Sequence, residues 1–333
     1  MKNVRGTVAL WVALSVVGSS SALLAQKAEQ KEVKRTKAEQ VDIDALLKAA
    51  DGAQGGQVAD SLVTWESNHF LRSGDGPTYV PFTVKLDRSK LAGQTVAVYV
   101  RVDPKGTPAP TGKKEKDKPA HSFENVYFAT VSPAGTVSRA FQVKGGDYDV
   151  YVAVKDKGTV EKADKNFNPT VGMLKKQLSV PDYTVAELKT STVILATTIQ
   201  QAPAGVTGAE DPYVFGAMQI VPSVDAKYKK SDTLELIYWI YGMQVDAAGK
   251  PDITIENAVN QKTAEGEKFF NKTQPQSLNA QTLPPNFSAA LPVPGSLQVP
   301  LASFPAGDYR LEIKITDKMS GKSITENVAF SVS

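Results

Sequence analysis

The chain has 333 residues, with 38 Lys and Arg against 35 Asp and Glu, a formal charge of +3, 41% hydrophobic residues and no cysteine. The lack of cysteine excludes disulfides, thiolate metal sites and a lipid-attached export signal, which needs a cysteine beside its cleavage site. A charge this close to balance points to no polyanionic partner such as nucleic acid. Stability must therefore come from packing, which two domains of ~130 residues can supply without disulfides.

At the N-terminus, Lys2 and Arg5 precede a ten-residue apolar run, Val8–Val17, and then the small-residue stretch "GSSSALLAQ", with cleavage points after Ala22 or Ala25. This pattern reads as a secretory signal peptide over 1–25. The run falls short of the roughly 20 apolar residues that span a bilayer. Residues 26–58 mix Lys and Glu, show no broad apolar stripe before Val41, and meet "DGAQGGQ" at 51–57. They are expected to form a frayed helix or disordered arm that ends by this stretch and tethers the folded part without belonging to it.

Beyond Ser61 the pattern changes to period two. "YVPFTVKLD" (79–87), "QTVAVYVRV" (94–102), "ENVYFATV" (124–131), "TVSRAFQV" (136–143) and "GGDYDVYVAVKD" (145–156) alternate apolar and polar side chains. In the third of these, Val126 and Phe128 are expected to share the inner face and Tyr127 the outer. "GMLKKQLSV" follows at 172–180. A second series runs from "STVILATTI" (191–199) through "YVFGAMQIV", "TLELIYWIYG", "DITIENAV", "EKFFNKT" and "SLQVPLASF" to "AGDYRLEIKITD" (306–317) and "SITENVAFSV" (323–332). Such pieces, punctuated by Gly, Pro and Asp, predict half-buried antiparallel strands in sandwiches or barrels. The hinge is expected in "SVPDYTVAELK" (179–189), with "QQAPAGVTGAEDP" (200–212) as a loop of the second domain.

Gly-Asp-Tyr opens the penultimate strand in each half, at Tyr148 and Tyr309. In immunoglobulin-like sandwiches a tyrosine there forms a corner, its ring in the core and its hydroxyl on nearby backbone. The predicted fold is all-β: two tandem immunoglobulin-like antiparallel sandwiches, 59–183 and 184–333, after the signal peptide and the polar arm. On "KGGDYDVYVAVKD", "FPAGDYRLEIKITD" and "YVFGAMQIVPSVDAKYKKSDTLELIYWIYG" the chain resembles bacterial exported proteins with tandem immunoglobulin-like or fibronectin-III-like domains. The last block looks like the β-rich regions that accompany a Gly-Trp-x-Thr-Asp motif in some of them, although Trp11, Trp65 and Trp239 lack that context. The resemblance covers 60–333 at the level of fold and implies no catalytic residue.

Catalytic chemistry finds little support in the residues. His69 and His121, the only histidines, show no nucleophile elbow and no metal-ligand spacing, and both read as surface or edge-strand histidines. Asp147, Asp149, Glu210 and Asp211 read as turn acids in preference to calcium ligands. No cofactor is implied.

Two surface features remain. Tyr99, Tyr127 and Tyr151, with Arg101, are predicted on outward faces of the first domain, where rings can form a platform for sugar or protein. The strand with Ile237, Trp239 and Tyr241 is apolar on both faces at one end and must be covered there, by the partner domain, by the 274–295 loop or by another molecule. The lysine-rich loop 103–121 reads as a solvated hairpin extension. Together these features describe an exported, periplasmic or extracellular, non-catalytic binding or scaffolding protein that contacts a protein partner. The alternatives are a carbohydrate-binding module or hydrolase accessory using the aromatic face, and a carboxylate-dependent hydrolase.

Overall fold

The computed structural model describes residues 35–54, 62–74, 76–108, 121–157, 171–284, 287 and 292–333. The predicted signal peptide, residues 26–34 and 55–58 of the arm, most of the 103–121 loop and part of the 274–295 loop lie outside the described residues. The fold is all-β and antiparallel almost throughout. The chain divides between Asp182 and Tyr183 into two compact units, with residues 209–212 of the 200–212 loop grouped with the first.

Among the described residues the first unit contains one α-helix, α1 (Lys37–Gln54), a 3-10 turn at Arg88–Lys90 and eight strands. The strands are β1 (Val63–Asn68), β2 (Leu71–Arg72), β3 (Thr78–Leu86), β4 (Thr95–Pro104), β5 (Phe123–Thr130), β6 (Thr136–Val143), β7 (Gly146–Asp156) and β8 (Gly172–Val180). One sheet centres on β3, which pairs with β1, β2 and β6; the other has the order β5-β4-β7-β8. Val80, Phe82 and Phe141 from the first sheet and Val98, Val100 and Val152 from the second bury one another in a common core. Period-two alternation creates this arrangement, because every second side chain of each strand points between the sheets.

Among the described residues the second unit contains twelve strands. They are β9 (Lys189–Thr190), β10 (Ile194–Gln201), β11 (Val214–Phe215), β12 (Met218–Pro222), β13 (Lys227–Tyr228), β14 (Thr233–Tyr241), β15 (Ile253–Thr263), β16 (Gly266–Lys272), β17 (Gln276–Leu278), β18 (Val293–Pro300), β19 (Gly307–Asp317) and β20 (Lys322–Val332). The sheet β11-β12-β10-β14-β18, with β9 on β14, stacks on β13-β20-β19-β15-β16, with β17 on β15. Leu234, Leu236, Tyr238, Leu311, Ile313 and Ile315 share the core between them.

The two units repeat one plan. β5-β4-β7-β8 in the first corresponds to β16-β15-β19-β20 in the second, and the run β1-β3-β6 corresponds to β10-β14-β18. The Gly-Asp-Tyr strands β7 and β19 occupy the same place. Gly146 and Gly307 adopt φ of 153° and 149°, a region open to glycine and strained for other residues. Each sharp turn lets the tyrosine two residues on enter the core, where its hydroxyl donates to a carbonyl four residues upstream: Tyr148 to Lys144 at 2.9 Å and Tyr309 to Pro305 at 2.7 Å. The aspartates that end both strands also act alike. Asp156 accepts the N–H groups of Ala92 and Gly93, and Asp317 accepts those of Gln244, Met319 and Ser320.

The arm departs from expectation. Residues 37–54 form an ordered helix that continues through Gly52 and packs on the first unit. Its buried stripe is Asp42, Leu46, Ala50 and Ala53, while Val41, the residue that first hinted at an apolar face, is exposed. A stripe with one large apolar residue is invisible to a search for a broad hydrophobic face.

Candidate functional site

The sheet face beneath α1 holds most of the residues that the sequence singled out. At the helix start, Thr36 and Glu39 form a capping box: Glu39 N–H donates to Thr36 Oγ1 at 3.2 Å, and Thr36 N–H donates to Glu39 Oε2 at 3.0 Å. The Thr36 bond is the main cause that holds the Glu39 carboxyl below its ordinary range. One turn on, Asp42 forms a buried ion pair with Lys155 of β7. Glu39 also reaches Lys157 at 3.3 Å. Between the ends, Leu46, Ala50 and Ala53 pack on Ala97, Tyr99, Tyr151, Ala153 and Met173.

At the other end Arg101 of β4 gathers the last turn. Its Nη1 donates to Asp51 Oδ1 at 2.7 Å, and its Nη2 donates to the Ala50 carbonyl and to Gln54 Oε1, both at 3.0 Å. The helix has no basic residue of its own in this turn, so Arg101 supplies the positive charge that the C-terminal carbonyls favour. The guanidinium also lies 4.8 Å from the Tyr151 ring centroid and, through Nε, 3.2 Å from Asp103 Oδ2. Asp103 Oδ1 meets His121 Nδ1 at 2.6 Å. Asp149, directly opposite Asp103 in the β4–β7 register, pairs with Lys175 at 3.1 Å. Two carboxylates therefore face one another, but both are buried and each is held by a cation.

The predicted open platform is not open. Tyr99, Arg101 and Tyr151 do share the outer face of β4 and β7, yet they are 0%, 1% and 1% exposed because α1 lies on them. The Tyr99 hydroxyl donates to Glu124 at 2.7 Å; burial, with Glu124 second, pushes its pKa up. Tyr127 is on the opposite face from the one expected. It stands across from Val98, so it packs toward the inter-sheet core, while Val126, across from Tyr99, and Phe128 pack on the α1 side. Its hydroxyl donates to the Ala140 carbonyl at 3.3 Å, and Arg139 lies 5.1 Å from its ring.

Trp239 and Tyr241 are buried, as a strand apolar on both faces requires. Their cover includes Phe215, with ring centroids 5.2 Å apart, and Tyr183, at 5.0 Å. Neither belongs to the 274–295 loop, and both lie in the second unit. His69 is buried and not a surface residue, but it does lie on the sheet edge between β1 and β2, its backbone N–H donating to the Pro81 carbonyl at 2.9 Å, and desolvation lowers its pKa to about 4. Among the described residues no group of three His, Asp or Glu side chains is placed to hold a metal ion, and no helix is long and apolar enough to cross a membrane.

Sequence reasoning allowed a frayed helix here but missed that α1 docks on the sheet, although two signals were present. Thr36-x-x-Glu39 before a helix-prone run is a capping-box signature. The outer faces of β4 and β7 carry Ala97, Tyr99, Tyr151 and Ala153 between their charged residues, whereas the corresponding faces of β15 and β19 carry mainly polar and charged side chains. In the second unit the equivalent outer face carries Arg310, which bonds Glu267, Glu312 and Asn327, and Lys314, 3.8 Å from Glu256. That face is solvated; the first unit's face needs a lid.

The fold and this face together define an all-β protein of two stacked-sheet units, one of them carrying a helix docked on its outer face. No family model and no curated protein matches the chain. Among solved structures, a β-glucuronidase of Bacteroides uniformis aligns at 11% identity and a TM-score of 0.28, covering 77% of this chain and 26% of that one. An Escherichia coli alpha-2-macroglobulin activated by porcine elastase aligns at 13% identity and 0.22, covering 82% and 22%. The chain thus spans about a quarter of the length of these structures.

Proposed function

We propose that the chain is an exported, non-catalytic binding or scaffolding protein of the cell envelope, built from two immunoglobulin-like sandwiches that contact a protein partner. The observation that carries this reading is the repeated plan: matching sheet orders and matching tyrosine-corner bonds at Tyr148 and Tyr309. Such sandwiches are rigid platforms whose surfaces, not their cores, meet partners. The functional-looking residues of the first unit support the same reading, since Tyr99, Arg101 and Tyr151 are engaged in holding α1. The facing carboxylates Asp103 and Asp149 are likewise engaged in ion pairs. The carbohydrate-binding alternative relied on an exposed Tyr99–Tyr151 platform, and those rings are covered.

Affinity capture from envelope extracts with the full chain, run beside a polysaccharide pull-down and a glycosidase screen, tests the proposal. One saturable protein partner supports it. Glycan retention or hydrolysis, with no protein retained, overturns it. Export is checked separately by N-terminal sequencing of the mature protein, with a new terminus expected after Ala22 or Ala25.

A further inference from the structure

We propose that the open edge of β20 is where this chain binds its protein partner, an extended segment that adds a strand there. The segment carries Lys or Arg opposite Glu326 and an apolar residue two positions to either side. The inference rests on the proposed contact with a protein and names the surface and the partner's chemistry. β20 pairs with β19 along all eleven of its residues without a register break. On its other side it pairs only with β13, at Ser331 and Val332. Ser331 and Ser333 send their N–H groups outward, to the carbonyls of Ala226 and Tyr228. By the alternation of an antiparallel ladder, Ser323, Thr325, Asn327 and Ala329 also point their backbone N–H and C=O groups away from β19. At Ala226, with φ of 53°, the chain turns off the edge. Among the described residues nothing then pairs with the outward backbone of these four.

An open, regular edge invites strand addition unless it is blunted. Other edges of this protein are blunted. β1 and β16 each carry an extra, bulged residue, Glu66 and Phe270. β18 carries Pro294 and Pro300, and on β5 the Val126 N–H is taken by Asn125 Oδ1 at 2.8 Å. β20 has no proline and no bulge, and its one lysine is at its first position. The side chains define the occupant. On the inner face Ile324 and Val328 pack against the core yet stay half-buried. Between them Glu326 stands across from the core residue Ile313 and accepts from Thr190 Oγ1 at 2.8 Å. Among the described residues no cation pairs with it. In an antiparallel addition Glu326 falls at a position where facing side chains approach most closely. A cation there pairs with it, and apolar neighbours on the same face cover Ile324 and Val328. A second copy of β20 fits less well. It sets Lys322 opposite Glu326 only in a register that overlaps Lys322–Glu326 and leaves Val328 uncovered.

The peptide Thr-Val-Thr-Lys-Thr-Val-Thr with blocked ends, titrated into the full chain, tests the inference. Amide chemical-shift changes are expected at Ser323–Ala329. The same peptide with Glu in place of Lys is expected to bind about tenfold more weakly, and Glu326→Gln should remove most of that difference. Thr325→Pro loses only an outward N–H, so it is expected to keep the sheet and abolish binding. Should it fail to fold, N-methylation of the two threonines beside the lysine is expected to abolish binding to the native chain. Four results overturn the inference: no shifts at Ser323–Ala329 at millimolar peptide, shifts confined elsewhere, equal binding of the Lys and Glu peptides, or a native dimer that Thr325→Pro makes monomeric. None of them touches the proposed protein contact, which fails instead on glycan retention or hydrolysis with no protein retained.

Discussion

Tyr148 and Tyr309, in different units, make the same hydrogen bond: each phenol donates to the carbonyl four residues before it, at 2.9 and 2.7 Å. Burial raises the pKa of both phenols, so both remain neutral donors at physiological pH. Removing one hydroxyl leaves a carbonyl near the core without its donor. Tyr309→Phe and Tyr148→Phe are each expected to destabilise their unit by about 1–2 kcal/mol, read from urea midpoints. The effect should be larger for Tyr309, which is fully buried and surrounded by Phe270, Phe304 and Phe330.

Arg101 holds the last turn of α1 and the Asp103 carboxylate together. Arg101→Met leaves Asp103 buried without its guanidinium, which is expected to cost about 3–5 kcal/mol. Arg101→Lys should not rescue it, because one ammonium cannot reach Asp51, Gln54 and the Ala50 carbonyl in a planar fork. Urea unfolding measures the loss, and hydrogen exchange should show it concentrated in α1.

The capping box gives a smaller, local effect. Thr36→Ala removes the acceptor of the Glu39 N–H. It is expected to lower protection of the first turn of α1 by about 1 kcal/mol and to leave both sheets unchanged. Hydrogen exchange of residues 37–42 checks it.

His69 should make the fold acid-sensitive. Its folded pKa is about 4, lowered by burial, against about 6.5 in the unfolded chain. Between these values the unfolded state binds a proton that the folded state does not. The full contribution is therefore present above pH ~6.5 and is lost as pH falls toward ~4, a total of about 3 kcal/mol. Urea midpoints at pH 7, 5.5 and 4.5 should fall more steeply for the native chain than for His69→Gln.

The strands were legible because period-two alternation is a direct imprint of one buried face, as in Leu311, Ile313 and Ile315 against Arg310, Glu312 and Lys314. The corner tyrosines were legible because Gly-Asp-Tyr occurs twice before a last strand. The outer face of the first unit was misread. Tyr99 and Tyr151 look like surface residues when each strand is read alone, and only their grouping with Ala97 and Ala153 across the paired β4 and β7 says that a lid is needed. The lid itself was obscured because its contact stripe is Asp42, Leu46, Ala50 and Ala53, a pattern in which charge pairing and small size replace hydrophobic bulk. Gly52 suggested a helix end, but a cost of about 1 kcal/mol is readily offset by Arg101 and the packing of Ala53. Tyr127 was assigned to the wrong face because both faces of β5 are apolar, so its phase is set by pairing with β4 and not by its own pattern.

The docked helix is tested most directly by a double-mutant cycle on Asp42 and Lys155, both buried and far apart in sequence. Asp42→Ala and Lys155→Ala, singly and together, give a coupling energy from urea unfolding. If α1 lies on the sheet, the coupling should be about 1–3 kcal/mol. Single losses that simply add, with coupling below about 0.3 kcal/mol, would contradict the docked helix and return Tyr99 and Tyr151 to the surface.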